Sequence, residues 1–177
     1  QFGGLVKDGW KGRWGALAAR IQVWRGVRKD PYDAFAELDR LHASYGLNPI
    51  YFFLLGQGGH LDKNLDPDST LMQRLLQETR TRYALGIHPS WRSHEDEQTL
   101  VRELGRLPGV TKSRQHYIRF TLPDTFRLLI ENGITDDYSM GYGSINGFRA
   151  STSQPYYWYD VDRNEQTGLR LHPFCFM

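Results

Sequence analysis

The chain has 177 residues, of which 40% are hydrophobic and 24% charged, and its formal net charge is +2. This length suits one domain with a substantial core, and this composition excludes a disordered chain. The charge is too small to indicate a nucleic-acid-binding protein, and no apolar run approaches the roughly 18 residues of a membrane-spanning helix. A single cysteine, Cys175, excludes an internal disulfide. Nothing therefore requires an oxidising compartment, and we expect a cytoplasmic protein.

The first two predicted elements are helices. Apolar residues recur at helical spacing over residues 10–28, in a segment that is locally basic, and we interpret this as a surface helix with a basic face. For the second helix, the sequence predicts Asp30 as N-cap, Pro31 in the first turn, an apolar face from Phe35 to Tyr45, and an end at Gly46.

Strand-like and helix-like segments then alternate, which is typical of a parallel α/β fold. The wholly apolar segment 50–55 predicts a strand buried on both faces, followed by a polar, glycine-rich loop. A helix is predicted over 68–82 and a strand over 83–88. Ser93, with an acidic residue three positions later, indicates the capped start of the next helix.

The second half of the chain continues the alternation. We predict a strand over 113–120, then a helix that starts near Thr121 and ends at Gly133. The further strand candidates are 134–142, 156–161 and 169–177. Because there is no internal repeat and no linker, we predict a single domain over residues 1–177.

Three histidines lie at or near the ends of predicted strands, the edge that carries the catalytic residues of a parallel barrel. They are His88, His116, which shares one strand face with Arg114, and His172. One such histidine is more often structural than a ligand. Three together favour a metal site, since imidazole is a common zinc ligand and a catalytic zinc takes about three protein ligands. We interpret the remaining histidines as structural or surface residues: His42, His60 and His94, the last of which we expect to be exposed at the start of a helix.

Other polar residues in the predicted loops remain ambiguous. A guanidinium at Arg149 could orient a carboxylate or stabilise an oxyanion, but a surface salt bridge explains it equally well. Carboxylates such as Asp62 and the doublet Asp136-Asp137 are more often turn formers.

Several segments, in order along nearly the whole chain, together resemble the polysaccharide deacetylase superfamily, the nodulation-type deacetylase homology domain. More closely, they are similar to a branch found with bacterial surface-polysaccharide genes. The segments are Tyr51-Phe52-Phe53-Leu54-Leu55, Asp62-Lys63-Asn64, Gly86-Ile87-His88-Pro89-Ser90, Ser113-Arg114-Gln115-His116-Tyr117, Gly133-Ile134-Thr135-Asp136-Asp137-Tyr138-Ser139-Met140-Gly141-Tyr142, Gly147-Phe148-Arg149-Ala150-Ser151-Thr152 and Leu171-His172-Pro173-Phe174.

The resemblance implies a distorted α/β barrel of about seven mostly parallel strands and a divalent metal, often zinc, that serves to remove N-acetyl groups from a carbohydrate. His88 matches the first metal-binding histidine of the family. Four residues later, where the family has its second, this chain has Arg92. His116 is our candidate for the second ligand, and His94 is a poorer one.

The resemblance also assigns catalytic roles. Arg149 matches the arginine that orients the catalytic carboxylate, and His172 matches the histidine that acts as general acid near the leaving amine. In the family, the metal-binding aspartate and the catalytic base belong to a first strand. We expect this strand upstream of Gln1 and therefore expect the domain to be truncated there. The apolar end at Met177 indicates truncation at the other terminus as well.

For the carbohydrate substrate we predict contacts from residues of the loops and strand ends: Asp62, Asn64, Trp91, Arg114 and Tyr142. Tyr156 is a further candidate for stacking on a sugar ring.

Two alternative functions remain open. One is a non-catalytic carbohydrate-binding or scaffold barrel that has lost its metal site, which the missing second histidine favours. The other is a metal-dependent amidohydrolase acting on a small molecule.

Overall fold

The computed structural model describes residue 10 and residues 14–175. Contacts within the chain divide it into two compact units that meet between Asn48 and Pro49. Among the described residues, no helix is both long and apolar enough to cross a lipid bilayer.

Residues 14–48 of the first unit form two helices, α1 (Trp14–Trp24) and α2 (Phe35–Tyr45), and neither has a buried residue. Helix α2 ends as predicted, because Gly46 adopts the left-handed conformation, with a φ of 62°. Its predicted start is wrong. The Asp30 carboxylate accepts a hydrogen bond from the Tyr32 amide at 2.9 Å and so forms a separate turn, and the helix begins only after Ala34.

The second unit is built on one six-stranded sheet in the order β1-β2-β3-β4-β6-β5. The strands are β1 (Ile50–Phe53), β2 (Ala84–Ile87), β3 (Lys112–Ser113), β4 (Asp136–Asp137), β5 (Tyr156–Asp160) and β6 (Glu165–Leu171). All neighbouring pairs are parallel except β5 and β6, which are antiparallel. This confirms an α/β fold with a mostly parallel sheet.

Three helices connect the parallel strands: α3 (Thr70–Arg80), α4 (Glu97–Gly105) and α5 (Asp124–Glu131). Ser69 caps α3 by accepting a hydrogen bond from the Met72 amide. Helix α4 is capped by the Asp96 carboxylate, which accepts from the Thr99 amide at 3.3 Å. The predicted cap Ser93 lies outside the helix, and its hydroxyl donates to the Ser90 carbonyl instead.

The hydrophobic core lies on the face of the sheet that these helices cover. Its fully buried hydrophobic side chains all belong to the second unit: Leu55, Ile87, Leu100, Leu107, Phe126, Leu129, Leu169 and Leu171. Apolar helix faces packed on a parallel sheet account for this arrangement.

Two predicted strands are much shorter than expected. Of 113–120 only Ser113 is extended in the sheet, because the chain then turns through a short 3₁₀ segment (His116–Ile118) in which Tyr117 has a left-handed φ of 56°. Of 134–142 only β4 is paired. The last strand begins at Glu165, earlier than predicted. Residues 176–177 of that prediction, and residues 11–13 of the first helix, lie outside the described part of the chain.

Candidate functional site

A row of four side chains lies directly past the carboxyl ends of the parallel strands. The last strand residues pair across the sheet in one register, and all are buried: Ile87, Ser113, Asp137 and Leu171. The next residue of each strand donates its amide to a neighbouring strand's carbonyl at 2.8–3.0 Å: His88, Arg114, Tyr138 and His172. Because strand side chains alternate, these four point away from the helix-covered core.

His88 and His116 are in contact, although the sequence separates them by 28 residues. Nε2 of His88 lies 2.9 Å from Nδ1 of His116, and the ring centroids are 4.8 Å apart at an interplanar angle of 76°. The turn after β3 brings His116 to this position, and its amide donates to the Pro89 carbonyl at 3.2 Å. The structure therefore brings together the two residues predicted as metal ligands.

The outer nitrogens of the two rings determine their tautomers. Nδ1 of His88 lies 2.5 Å from the Arg114 carbonyl oxygen, and Nε2 of His116 lies 3.1 Å from the Leu61 carbonyl oxygen. Since a carbonyl oxygen only accepts, each of these nitrogens carries a hydrogen. If both rings are neutral, the two nitrogens that face each other, His88 Nε2 and His116 Nδ1, carry no hydrogen and each presents a lone pair. They cannot hydrogen-bond to each other, and only a cation between them, a proton or a metal ion, makes the contact attractive.

The electrostatics of the pair disfavour the proton. Burial is the main cause that lowers the pKa of His88 to about 4; the hydrogen bond to the Arg114 carbonyl acts in the opposite direction, and His116 lowers the pKa further. Two nitrogens bound to one tetrahedral zinc ion are roughly 3.3 Å apart, given zinc–nitrogen bonds of about 2.0–2.1 Å. The observed 2.9 Å is close to that separation. The residues present therefore fit two ligands of one metal ion.

The coordination set is not complete within the described residues. No group of three or more histidine, cysteine, aspartate or glutamate side chains is placed there to hold a metal ion. The carboxylate of Asp62 lies close to the pair, 3.8 Å from His116 Nε2. The same oxygen accepts a hydrogen bond from the Trp91 amide at 2.9 Å.

His94 does not join the pair, and our expectation of an exposed residue is wrong. Its side chain is 1% exposed, and Nδ1 hydrogen-bonds to the Trp91 carbonyl at 2.9 Å. Its own carbonyl accepts from the Thr125 hydroxyl at 2.8 Å, which ties this loop to α5. His94 thus stabilises the loop that follows β2.

His172 forms a separate pair with Asp136, three strand positions from His88. Nε2 of His172 lies 2.7 Å from Asp136 Oδ1, and its ring stacks on Tyr138 at 4.2 Å and 7°. Burial opposes ionisation of Asp136, but the hydrogen bonds from His172 and Thr135 lower its pKa below the ordinary value. The carboxylate holds the imidazole with Nε2–H engaged, so the ring can exchange a proton at Nδ1.

The other predicted site residues have mainly structural contacts. Arg149 is exposed, with its guanidinium 4.1 Å above the Phe120 ring and Nη1 donating to the Ile118 carbonyl at 3.4 Å. Asn64 donates to the carbonyls of Gly56 and Leu65, both at 2.8 Å, and so holds its own loop. These contacts do not bring Arg149 or Asn64 to the imidazole pair.

Aromatic and cationic groups alternate around the strand ends. Arg114 lies 4.3 Å above the Phe174 ring, and burial lowers its pKa. Arg119 lies 3.9 Å above the Trp91 ring, which also meets Tyr117 edge-on. Tyr142 is exposed in the loop after β4, and Tyr156 is half-buried in β5.

A cleft of about 570 Å³ lies beside the pair, between the loops that follow β1 and β2 and helix α4. Leu61, which accepts the hydrogen bond of His116, lines it together with Asp62 and Trp91. This volume is within the usual range of small-molecule sites, about 300–1,000 Å³.

Sequence reasoning missed Glu103, which lines the same cleft. It is 1% exposed, and burial raises its pKa. One oxygen accepts from the Ser90 amide at 2.9 Å, and the other lies 3.4 Å from where a Cβ on Gly56 would stand. The available signal was its position on the apolar face of α4, three residues after Leu100, where a charged residue is unusual.

Comparison with models of protein families gave no match. Comparisons with curated proteins and with solved structures gave none either. Inferences about the chemistry of the site therefore rest on its geometry alone. The site consists of one pair of facing imidazoles, one imidazole–carboxylate pair, and a cleft next to the first pair.

Proposed function

We propose that this chain is the greater part of a metal-dependent hydrolase that removes N-acetyl groups from a carbohydrate, with His88 and His116 as ligands of a zinc ion. The observation that carries the proposal is the contact between the two imidazole rings, in which His88 Nε2 lies 2.9 Å from His116 Nδ1. The order of motifs along the chain, which resembles that of polysaccharide deacetylases, supports the reaction type. The barrel of about seven strands is part of the same proposal.

The chain's own groups would orient the ligands. Metal-binding imidazoles commonly donate their second nitrogen to a carbonyl or carboxylate, which fixes ring orientation and tautomer. The Arg114 and Leu61 carbonyls have this role here. A divalent ion supplies Lewis acidity, which polarises an amide carbonyl and activates water.

The remaining steps are assigned to residues away from the pair. His172, held by Asp136, would protonate the departing sugar amine. Arg149 would orient the carboxylate base, which the resemblance places on a strand preceding the described sheet. Asp62 and Trp91, which line the cleft beside the pair, would contact the sugar, together with Asn64, Arg114 and Tyr142.

The test is acetate release from N-acetylated oligosaccharides by the zinc-loaded protein, in a form that includes the first strand that the resemblance implies. We expect release that is lost in His88→Gln and His116→Gln and kept in His42→Gln, a matched change in helix α2 of the first unit. Zinc content is measured on the same samples. Zinc binding without acetate release would favour the non-catalytic carbohydrate-binding barrel, which Arg92 in place of the family's second histidine already suggests. Absence of zinc would refute the metal site.

A further inference from the structure

Helix α1 exposes one continuous apolar stripe. Its members are three and four residues apart, which places them on one helix face: Trp14, Leu17, Ile21 and Trp24. The two tryptophans of this stripe are 69% and 74% exposed. None of the 11 residues of α1 is buried. Large aromatic side chains exposed to water along one helix face are unusual for a protein surface.

The stripe lies in a segment of one charge sign. Residues 9–29 include no aspartate or glutamate and six basic residues: Lys11, Arg13, Arg20, Arg25, Arg28 and Lys29. At 100° per residue, Arg20 and Arg25 lie on opposite flanks of the stripe. The helix therefore presents an apolar, tryptophan-rich line bordered by cations on both sides.

This combination identifies the occupant of the stripe. Tryptophan favours the boundary between lipid headgroups and acyl chains, and basic flanks are attracted to anionic headgroups. A second copy of the helix would bring two rows of like charge together, which opposes self-association. We propose that α1 docks, lying flat, on an anionic lipid surface, with the stripe of Trp14, Leu17, Ile21 and Trp24 facing the acyl chains. This inference does not depend on the proposed enzymatic function.

The experiment is co-sedimentation of the whole chain with vesicles of phosphatidylcholine alone or mixed with phosphatidylglycerol. We expect binding only to the anionic vesicles, weakened by added salt because the charges are screened. Trp14→Ala with Trp24→Ala should abolish it. Arg20→Gln with Arg25→Gln should weaken it roughly 30-fold, since each basic residue near an anionic surface contributes about 1 kcal/mol.

The matched control is Tyr157→Ala with Tyr159→Ala, which removes two aromatics of β5 that are 52% and 47% exposed. This variant should bind like the unaltered chain, and circular dichroism should show that all variants keep their fold. The proposal is overturned if the unaltered chain stays in solution with anionic vesicles, or if the tyrosine variant loses as much binding as the tryptophan variant. It is also overturned if light scattering shows a dimer that the tryptophan variant converts to a monomer.

Discussion

At the scale of single residues, backbone carbonyls determine what the candidate site can do. Imidazoles at 88 and 116 were expected near each other because His88 ends one predicted strand and His116 lies in another predicted strand of the same sheet. Their tautomers were not predictable, since these depend on the carbonyls of Arg114 and Leu61, and Leu61 belongs to a loop 55 residues from His116. The turn at residues 116–118 was not predictable either, because Tyr117 has a left-handed φ of 56°, which a tyrosine rarely adopts.

Glu103 offers a prediction about pH. Because burial raises its folded-state pKa, Glu103 stabilises the fold fully below its unfolded-state pKa, and this contribution is lost as the pH rises through the folded-state pKa. Glu103→Gln has no carboxylate to ionise and so avoids this loss. As the pH rises from about 4 to about 7, the free energy of unfolding of the variant should therefore increase relative to that of the unaltered protein. Urea denaturation at both pH values measures this. Glu131→Gln, at an exposed position of α5, should show no such gain; an equal gain there would refute the assignment.

At the scale of elements, helices were predicted better than strands. The apolar faces of α3, α4 and α5 are long enough to show their period in the sequence. Strands β3 and β4 have two paired residues each, too few for an alternating pattern to appear. The alternation over 113–120 was therefore misleading, whereas the wholly apolar β1 and β2 were found.

The close packing of β1 on β2 depends on Gly86. A Cβ there would lie 2.5 Å from the Phe52 ring and 2.9 Å from the Lys112 carbonyl oxygen, which belongs to the backbone of β3. Gly86→Ala should therefore destabilise the protein by about 1–3 kcal/mol, since backbone must shift. Gly168→Ala in β6 is the control, because nothing lies within 4 Å of its Cβ position. Urea denaturation compares the two, and equal stability would contradict this packing.

An ion pair joins α5 to β5. Arg127 donates to both oxygens of Asp160, at 2.6 and 2.7 Å, and this lowers the pKa of Asp160 to about 2. The ion pair therefore stabilises the fold above the unfolded-state pKa of about 3.9. This stabilisation is lost as the pH falls through the folded-state pKa of about 2.

Asp160→Asn should therefore lower the melting temperature at neutral pH and flatten its decline between pH about 4 and about 2. Thermal unfolding followed by circular dichroism at a series of pH values measures both effects. Asp162→Asn, which alters an exposed carboxylate 3.2 Å from Arg127, should change little. An unchanged pH profile in Asp160→Asn would show that the pair contributes nothing.

At the scale of the whole molecule, the core belongs to one of the two compact units. Every buried hydrophobic side chain of the described residues lies between Leu55 and Leu171. Because burial of apolar surface is the main favourable term in folding, a fragment of residues 49–177 should unfold cooperatively on its own. Its near-ultraviolet circular dichroism should retain the signal of packed aromatics. A fragment without a cooperative transition would show that the core needs the first unit.

The measurement that tests the account most directly is nitrogen-15 NMR of the histidine rings, before and after zinc is added. At neutral pH without metal, we predict a hydrogen on Nδ1 of His88 and on Nε2 of His116. Zinc should then shift the two facing nitrogens, His88 Nε2 and His116 Nδ1, while His60 stays unchanged. The opposite tautomer in either ring, or a zinc response shared equally by all histidines, would contradict the proposed metal site.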